Sequence, residues 1–222
     1  MFAKGYAQHY DSLYSKKPYK REINFVYNWA DKPKSILDIG CGTANYWKYY
    51  PKSVELIGLE RSEEMIERSE YKDKISCQDI LSYKPHYGYA DMPYDPTVDA
   101  ATALFDVLNY IPKHDWWRKL PIKTGGYFIF DLWDKKKVDR EGFRETIRNV
   151  KGLIRHIKPN RISDGEVSLE IDVYKGTEMF SETHNMYLYS HKDIELCCDK
   201  EFEIAEVKRT KDWQCWYKLR RL

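Results

Sequence analysis

Apolar residues recur along the chain with two periods. Over residues 19–30, Ile23, Val26, Tyr27 and Ala30 repeat at helical spacing before Asp31-Lys32-Pro33 ends the pattern, which predicts an N-terminal helix of about three turns. Ser35–Ile39 (SILDI) is a short continuous apolar run closed by Gly-Cys-Gly, the pattern of a strand buried on both faces, and VELIGLE at 54–60 repeats it. Ser62 is placed to cap a following helix whose first turn holds Glu63 and Glu64, with Met65, Ile66 and Ser69 facing inward. Ile75–Cys77, residues 98–104 (VDAATAL) and residues 127–132 (YFIFDL, introduced by Gly125-Gly126) complete five strands. Strands alternating with helical segments imply a parallel sheet with helices on both faces.

The texture changes after Asp134. Residues 143–190 are rich in Thr, Val, Ile and Tyr, and are broken at Pro159-Asn160, Asp164-Gly165 and Lys175-Gly176. The segments 152–158, 166–174 and 184–189 therefore predict an antiparallel meander. A short helix over 190–198, with Ile194, Cys197 and Cys198 on one face, precedes two closing strands at 202–208 and 213–219.

The 222 residues, 42% hydrophobic and 32% charged, suffice for one globular unit with a real core. A net charge of +2 demands no nucleic acid as partner. No run approaches the roughly 18 apolar residues needed to cross a bilayer and residues 1–10 lack the apolar stretch of a signal peptide, so a cytoplasmic protein without a membrane partner is expected. Cys41, Cys77, Cys197, Cys198 and Cys215 have no zinc-like spacing and read as reduced packing thiols, with no metal site expected.

The chemistry concentrates in Ile36-Leu37-Asp38-Ile39-Gly40-Cys41-Gly42-Thr43-Ala44-Asn45, where a buried strand runs into a turn whose glycines let the backbone approach a ligand closely. Asn45 stands where a dinucleotide fingerprint places Gly or Ala, and the Gly-Lys-Ser/Thr of a Walker loop is absent. LDIGCGTA resembles the first motif of class I S-adenosylmethionine-dependent methyltransferases, departing only at Ala44, where a third glycine is common. The resemblance implies that Asp38, Gly40, Cys41 and Gly42 surround S-adenosylmethionine. It implies that Glu60, eighteen residues beyond Gly42, accepts the two ribose hydroxyls with Arg61 beside it. By the same resemblance Asp79 and Ile80 meet the adenine, and Leu104 and Phe105 pass the methionine part.

Residues 6–14 (YAQHYDSLY) are similar to the Y-D-x-x-Y lead of many small-molecule methyltransferases, which makes Tyr10, Tyr14 and Arg21 candidates to close over the cofactor. The meander resembles that of amino-sugar and some glycine N-methyltransferases. The implied fold is α/β and Rossmann-like, a mostly parallel seven-stranded sheet with an antiparallel last strand and an antiparallel β insertion after the fifth strand. The implied organisation is one domain over 1–222: an N-terminal lid and helix (1–34), a cofactor-binding core (35–134), the insertion (about 140–190), and closing elements (191–222).

Each residue also has a plainer role. Asp38 can simply hold the turn, Tyr10 and Tyr14 can be a lid on the core, and Trp116-Trp117 can be core and rim. His114, Tyr14 and Asp131 are the catalytic candidates, with Asp106 beside them if the acceptor is an alcohol, and Trp133 shares the ligand-binding end of the fifth strand with Asp131. His114 equally suits a surface helix start. Lys135-Lys136-Lys137 reads as a solvated loop. The basic excess over 206–222 suits either an anionic substrate such as a nucleotide sugar or the solvent side of an edge strand.

The chain lacks the Asp/Asn-Pro-Pro-Tyr/Phe motif of amino-directed nucleic-acid methyltransferases after the fourth strand, where it has Leu104-Phe105-Asp106-Val107, and Met92-Pro93-Tyr94 falls in a loop before that strand. Methyl transfer to N or O of a small polar metabolite, such as a nucleotide-linked amino sugar, is therefore the leading expectation. The insertion then shapes or covers the pocket, or builds a homodimer contact. A protein or RNA acceptor, or a non-catalytic cofactor-binding protein, stands as the alternative.

Overall fold

The computed structural model describes residues 4–83, 97–112, 116–210 and 213–222. Two short helices, α1 (Lys4–Ala7) and α2 (Tyr10–Leu13), lead into α3 (Tyr19–Trp29). Strand β1 (Ser35–Ile39) is followed by β2 (Glu55–Glu60), α4 (Glu63–Ile66), β3 (Ile75–Cys77), β4 (Val98–Ala103) and β5 (Ile122–Trp133). Helix α5 (Lys135–Glu141) then precedes four strands, β6 (Thr146–Val150), β7 (Leu153–Arg161), β8 (Glu166–Lys175) and β9 (Glu178–Tyr187). Helix α6 (His191–Cys198), β10 (Phe202–Arg209) and β11 (Gln214–Arg221) close the chain.

The main sheet has the order β10-β11-β5-β4-β1-β2-β3. Strands β3, β2, β1, β4 and β5 pair in parallel, and β11 runs antiparallel between β5 and β10. Alternation along the strands divides the core. Leu37, Ile39, Ala101, Ala103, Phe128 and Phe130 pack with Ile194 and Cys198 of α6 on one face. Ile36, Ala100 and Ile129 pack with Ile23, Val26 and Trp29 of α3 on the other. Most parallel crossovers carry single helical turns, so aromatic residues fill space that longer helices would occupy: Tyr46, Trp47 and Tyr50 lie buried beside α3.

The sequence signals misplace several features. Ser62 stands at the N-cap of α4, but its side chain makes no capping bond; its hydroxyl donates to Glu64 Oε2 at 3.2 Å. Strand β5 begins before Gly125-Gly126, because its pairing with β4 bulges between Val98 and Ala100. Lys135-Lys136-Lys137 opens α5, where Asp134 caps by accepting Lys136 N–H at 3.1 Å and Lys135 pairs with Asp139 at 2.7 Å. Pro159 lies inside β7 rather than ending it: β6 pairs only as far as Ile157, so the proline sits where one side of β7 has no strand beside it. Trp117, by contrast, takes the core place the sequence allowed it, 1% exposed, with its indole N–H on Cys197 O at 2.5 Å.

The β6–β9 sheet is antiparallel, in sequence order. Its inner face (Leu153, Leu169, Ile171, Val173) packs on Tyr6 and Leu13 of the N-terminal helices, forming a third core cluster. That packing closes a cleft over the C-terminal ends of β1, β2 and β4. Among the described residues no helix is long and apolar enough to cross a membrane.

Candidate functional site

The cleft encloses about 1310 Å³ between the main sheet, the N-terminal helices and the inner face of β6–β9. Its floor is the turn after β1. Gly40 and Gly42 both take left-handed φ, +63° and +57°, and both line the cleft. A Cβ on Gly40 would stand 2.7 Å from Val107 Cγ1, so conformation and space both require glycine there. Ala44 shares the left-handed conformation at φ +57°, with its methyl buried in the α3-side core. Cys41 turns away: its Sγ packs over Gly58 of β2, and burial pushes the thiol well above its usual range.

Glu60 ends β2 beside this turn and is 6% exposed. Its carboxylate accepts the N–H groups of Gly42 and Ser62, both at 2.9 Å, so it ties the glycine turn to the start of α4. A carboxylate offers about four lone-pair positions, which leaves acceptor capacity toward the cleft. Arg61 and Asp79 line the same wall, 3.7 Å apart, with Asp79 also accepting Leu81 N–H at 2.9 Å, and Ile80 is buried next to them.

Asp38 sits behind the turn, 3% exposed and outside the cleft lining. It accepts Trp47 Nε1–H and the Thr102 hydroxyl, both at 2.8 Å. Burial pushes its carboxyl up to about 6 against the pull of those two hydrogen bonds. Its place is that of a strut beneath the loop rather than a ligand contact.

Past β4 the backbone is strained. Phe105 and Asp106 both adopt left-handed φ, +70° and +62°, and both line the cleft. Asp131, expected to face substrate, is instead fully buried behind them. It accepts Phe105 N–H at 2.7 Å, Asp106 N–H at 3.3 Å and Gln214 Nε2–H at 3.1 Å. Burial raises its carboxyl to about 6, and burial together with the Asp131 charge also raises that of Asp106. Among the described residues Asp106 Oδ1 is buried without a hydrogen-bond partner. Lys17 lies 4.2 Å above the Phe105 ring.

The opposite wall comes from the first helices and the insertion. Tyr10 and Tyr14 line it with ring centroids 4.7 Å apart, and the Tyr14 hydroxyl meets Tyr6 Oη at 3.0 Å and accepts Arg155 Nη1–H at 2.6 Å. Arg148 of β6 is the cross-strand partner of Arg155 on β7, and both line the cleft with Arg144 and Trp133. From the other side come Tyr110 and His184, joined at 2.9 Å.

The turn, Glu60, Asp79 and Ile80 form a cradle that can hold a nucleoside. Leu104 and Phe105 continue it toward the tyrosines. Arg21 faces a separate shallow depression of about 470 Å³ with Asn24 and Tyr49. His114 lies outside the described residues, as does Met92-Pro93-Tyr94. Arg144, Arg148, Arg155 and His184 carry no local motif signal that would single them out and join the site because the insertion folds back over the sheet, while Tyr6, Lys17 and Tyr110 reach it from the N-terminal segment and the turn after β4.

No protein-family model matches the chain, and no curated protein matches it. Solved structures do resemble it. An S-adenosylmethionine-dependent methyltransferase from Clostridium acetobutylicum superposes with a TM-score of 0.76 at 21% identity, covering 98% of each chain. DesVI from Streptomyces venezuelae gives 0.78 at 15% identity over 100% of both chains. CalS10, an amino pentose methyltransferase from Micromonospora echinaspora solved with S-adenosylmethionine bound, gives 0.72 at 16%, covering 100% of this chain and 98% of that one. With this strand order, its antiparallel β11 and its inserted four-stranded sheet, the chain has the Rossmann-like methyltransferase fold.

Proposed function

We propose that the protein binds S-adenosylmethionine in this cleft and transfers its methyl group to an N or O atom of a small polar metabolite. The observation that carries the reading is the left-handed Gly40–Gly42 turn held by the buried Glu60 carboxylate. The donor set fits the cofactor. A backbone turn without Cβ atoms permits close approach, Glu60 keeps lone pairs for a vicinal diol, and Asp79 with Ile80 suits the adenine edge and face. The cofactor supplies a methyl carbon made electrophilic by its positive sulfur. The Tyr10 ring gives an aromatic face that favours a cation there.

The chain's own contribution is alignment and exclusion of water, with α1, α2 and the insertion forming the roof. Holding acceptor and methyl donor in line is worth up to roughly 7 to 11 kcal/mol of barrier. We read the acceptor as anionic at one end, such as a nucleotide-linked amino sugar. Like charges directly opposite across a strand pair repel, and the Arg148–Arg155 pair turned toward the cleft is relieved by an anion between the two. The amino pentose methyltransferase among the similar structures, CalS10, agrees with that reading. The cysteines, all thiols, suit a cytoplasmic setting.

The test is S-adenosylmethionine labelled on its methyl group, incubated with the protein and a cell extract split by size. Label in the small-molecule fraction supports the proposal. Label confined to macromolecules replaces it with a protein or RNA acceptor, and cofactor binding with no transfer in any fraction favours a non-catalytic binder.

A further inference from the structure

We infer that Tyr110, His184 and Glu182 form a proton relay that accepts the proton of the methyl acceptor; this rests on the methyltransferase reading above. Alternation along β9 puts Glu182 and His184 on its inner face, opposite Ile171 and Leu169 of β8. Both are buried, at 8% and 7% exposure. His184 Nε2 lies 2.8 Å from Glu182 Oε2, and Nδ1 lies 2.9 Å from Tyr110 Oη. Tyr110 comes from the turn after β4, so the main sheet and the insertion each supply part of the chain of bonds. Tyr110 and His184 both line the cleft.

The geometry assigns the protons. A carboxylate only accepts, so the proton of a neutral His184 is on Nε2, and Nδ1 presents a lone pair. Tyr110 therefore donates its hydroxyl proton to Nδ1 and keeps its oxygen lone pairs for a donor in the cleft. Burial holds the Tyr110 hydroxyl far above its usual range, and the nearby Tyr14, Asp106 and Glu182 add to this against Arg61. An isolated tyrosinate is thereby disfavoured, and Tyr110 passes on its own proton only as another arrives. Tyr6 stacks edge-on against the His184 ring at 6.0 Å, with Tyr14 and Arg155 behind it.

In the transfer, the acceptor's lone pair forms the new bond to carbon and the electron pair of the broken S–C bond stays on sulfur, which becomes neutral. The acceptor's proton moves to Tyr110 Oη, and the hydroxyl proton moves to His184 Nδ1. The resulting imidazolium faces the Glu182 carboxylate, the same division of labour as in a base oriented by an acid.

Two measurements test this. Nitrogen-15 NMR of the histidine-labelled full chain reads the tautomer without any acceptor: Nε2–H with an unprotonated Nδ1 is expected, and Nδ1–H overturns the relay. Methyl transfer to the acceptor fraction identified by label is then measured for Tyr110→Phe and Glu182→Gln, with S-adenosylmethionine binding followed by calorimetry. The expected result is a fall in kcat of about 100-fold or more for Tyr110→Phe, a shift of the kcat pH profile toward lower pH for Glu182→Gln, and cofactor affinity within about twofold of the parent. Unchanged kcat and pH profiles with cofactor binding intact overturn the relay alone. Failure of the parent chain to bind S-adenosylmethionine overturns the methyltransferase reading and the relay's role with it.

Discussion

Asp131 Oδ1 accepts the Phe105 N–H at 2.7 Å from the strand behind it. The other oxygen of the same carboxylate takes the Asp106 N–H at 3.3 Å, so one buried side chain holds two consecutive left-handed residues at the cleft wall. Left-handed non-glycine residues each cost on the order of 1 kcal/mol or more, and they persist only where the surroundings hold them. Asp131→Ala removes both acceptors and is expected to lower stability by about 3 kcal/mol, while Asp131→Asn, keeping one oxygen, loses about half of that. Urea unfolding of the three proteins checks the order, and equal stability of parent and alanine variant would remove Asp131 as the anchor.

Gly40→Ala places a Cβ 2.7 Å from Val107 Cγ1 in a residue whose φ is +63°. A loss of about 2 to 4 kcal/mol is expected, of which only the steric part is relieved by adding Val107→Ala. Thermal unfolding of the single and double variants separates the two contributions. If the double variant fully recovered, conformation would have no share.

Asp38 ties folding to pH. Its folded-state carboxyl is raised by burial from an ordinary 3.8 to about 6, so the folded chain binds the proton more tightly than the unfolded chain. The stabilisation from that proton is complete below pH 4 and is lost as pH rises through 6, on the order of 3 kcal/mol. Asn in its place can accept Trp47 N–H with its oxygen and donate its amide to the Thr102 hydroxyl. Asp38→Asn should therefore flatten the stability profile between pH 4 and 6. A denaturant series across that window showing parallel curves for both proteins would contradict this.

Glu60→Gln turns an amide N–H₂ toward one of two backbone N–H donors, Gly42 or Ser62. Displacement of the turn and loss of a charged acceptor for the ribose diol should weaken S-adenosylmethionine binding by about 10- to 100-fold, at roughly 1.4 kcal/mol per tenfold. Calorimetry reads the change directly, and unaltered affinity would take Glu60 out of the site.

The fold was legible because buried parallel strands write themselves as continuous apolar runs, as in Ser35–Ile39, and because glycine at Gly40 and Gly42 marks a turn that other residues resist. The capping box of Ser190 and Asp193, both hydrogen bonds of which are present, is likewise local chemistry, and the helix begins where the sequence puts it. Signals failed where a neighbouring strand decides the outcome. Pro159 stays in β7 because of where β6 stops, and β5 runs through two glycines because they lie in its own bulge, between Ile122 opposite Val98 and Tyr127 opposite Ala100.

By itself the sequence determined α3, the five parallel strands, α6 and the two closing strands, the glycine turn and the acidic end of β2, since each depends on residues close together in the chain, whereas α5 and β6 were not legible there. Only the tertiary structure decided which carboxylates face the cleft. Asp38 and Asp131 end up behind the wall as acceptors for backbone and side-chain donors, while Glu60 remains in the cleft lining. It also decided that Tyr110 meets His184, 74 positions away, because no local pattern encodes the docking of an inserted sheet. That docking is set by apolar burial between Leu153, Leu169, Val173, Tyr6 and Leu13, which is non-directional, and the polar groups of the roof take their positions from it.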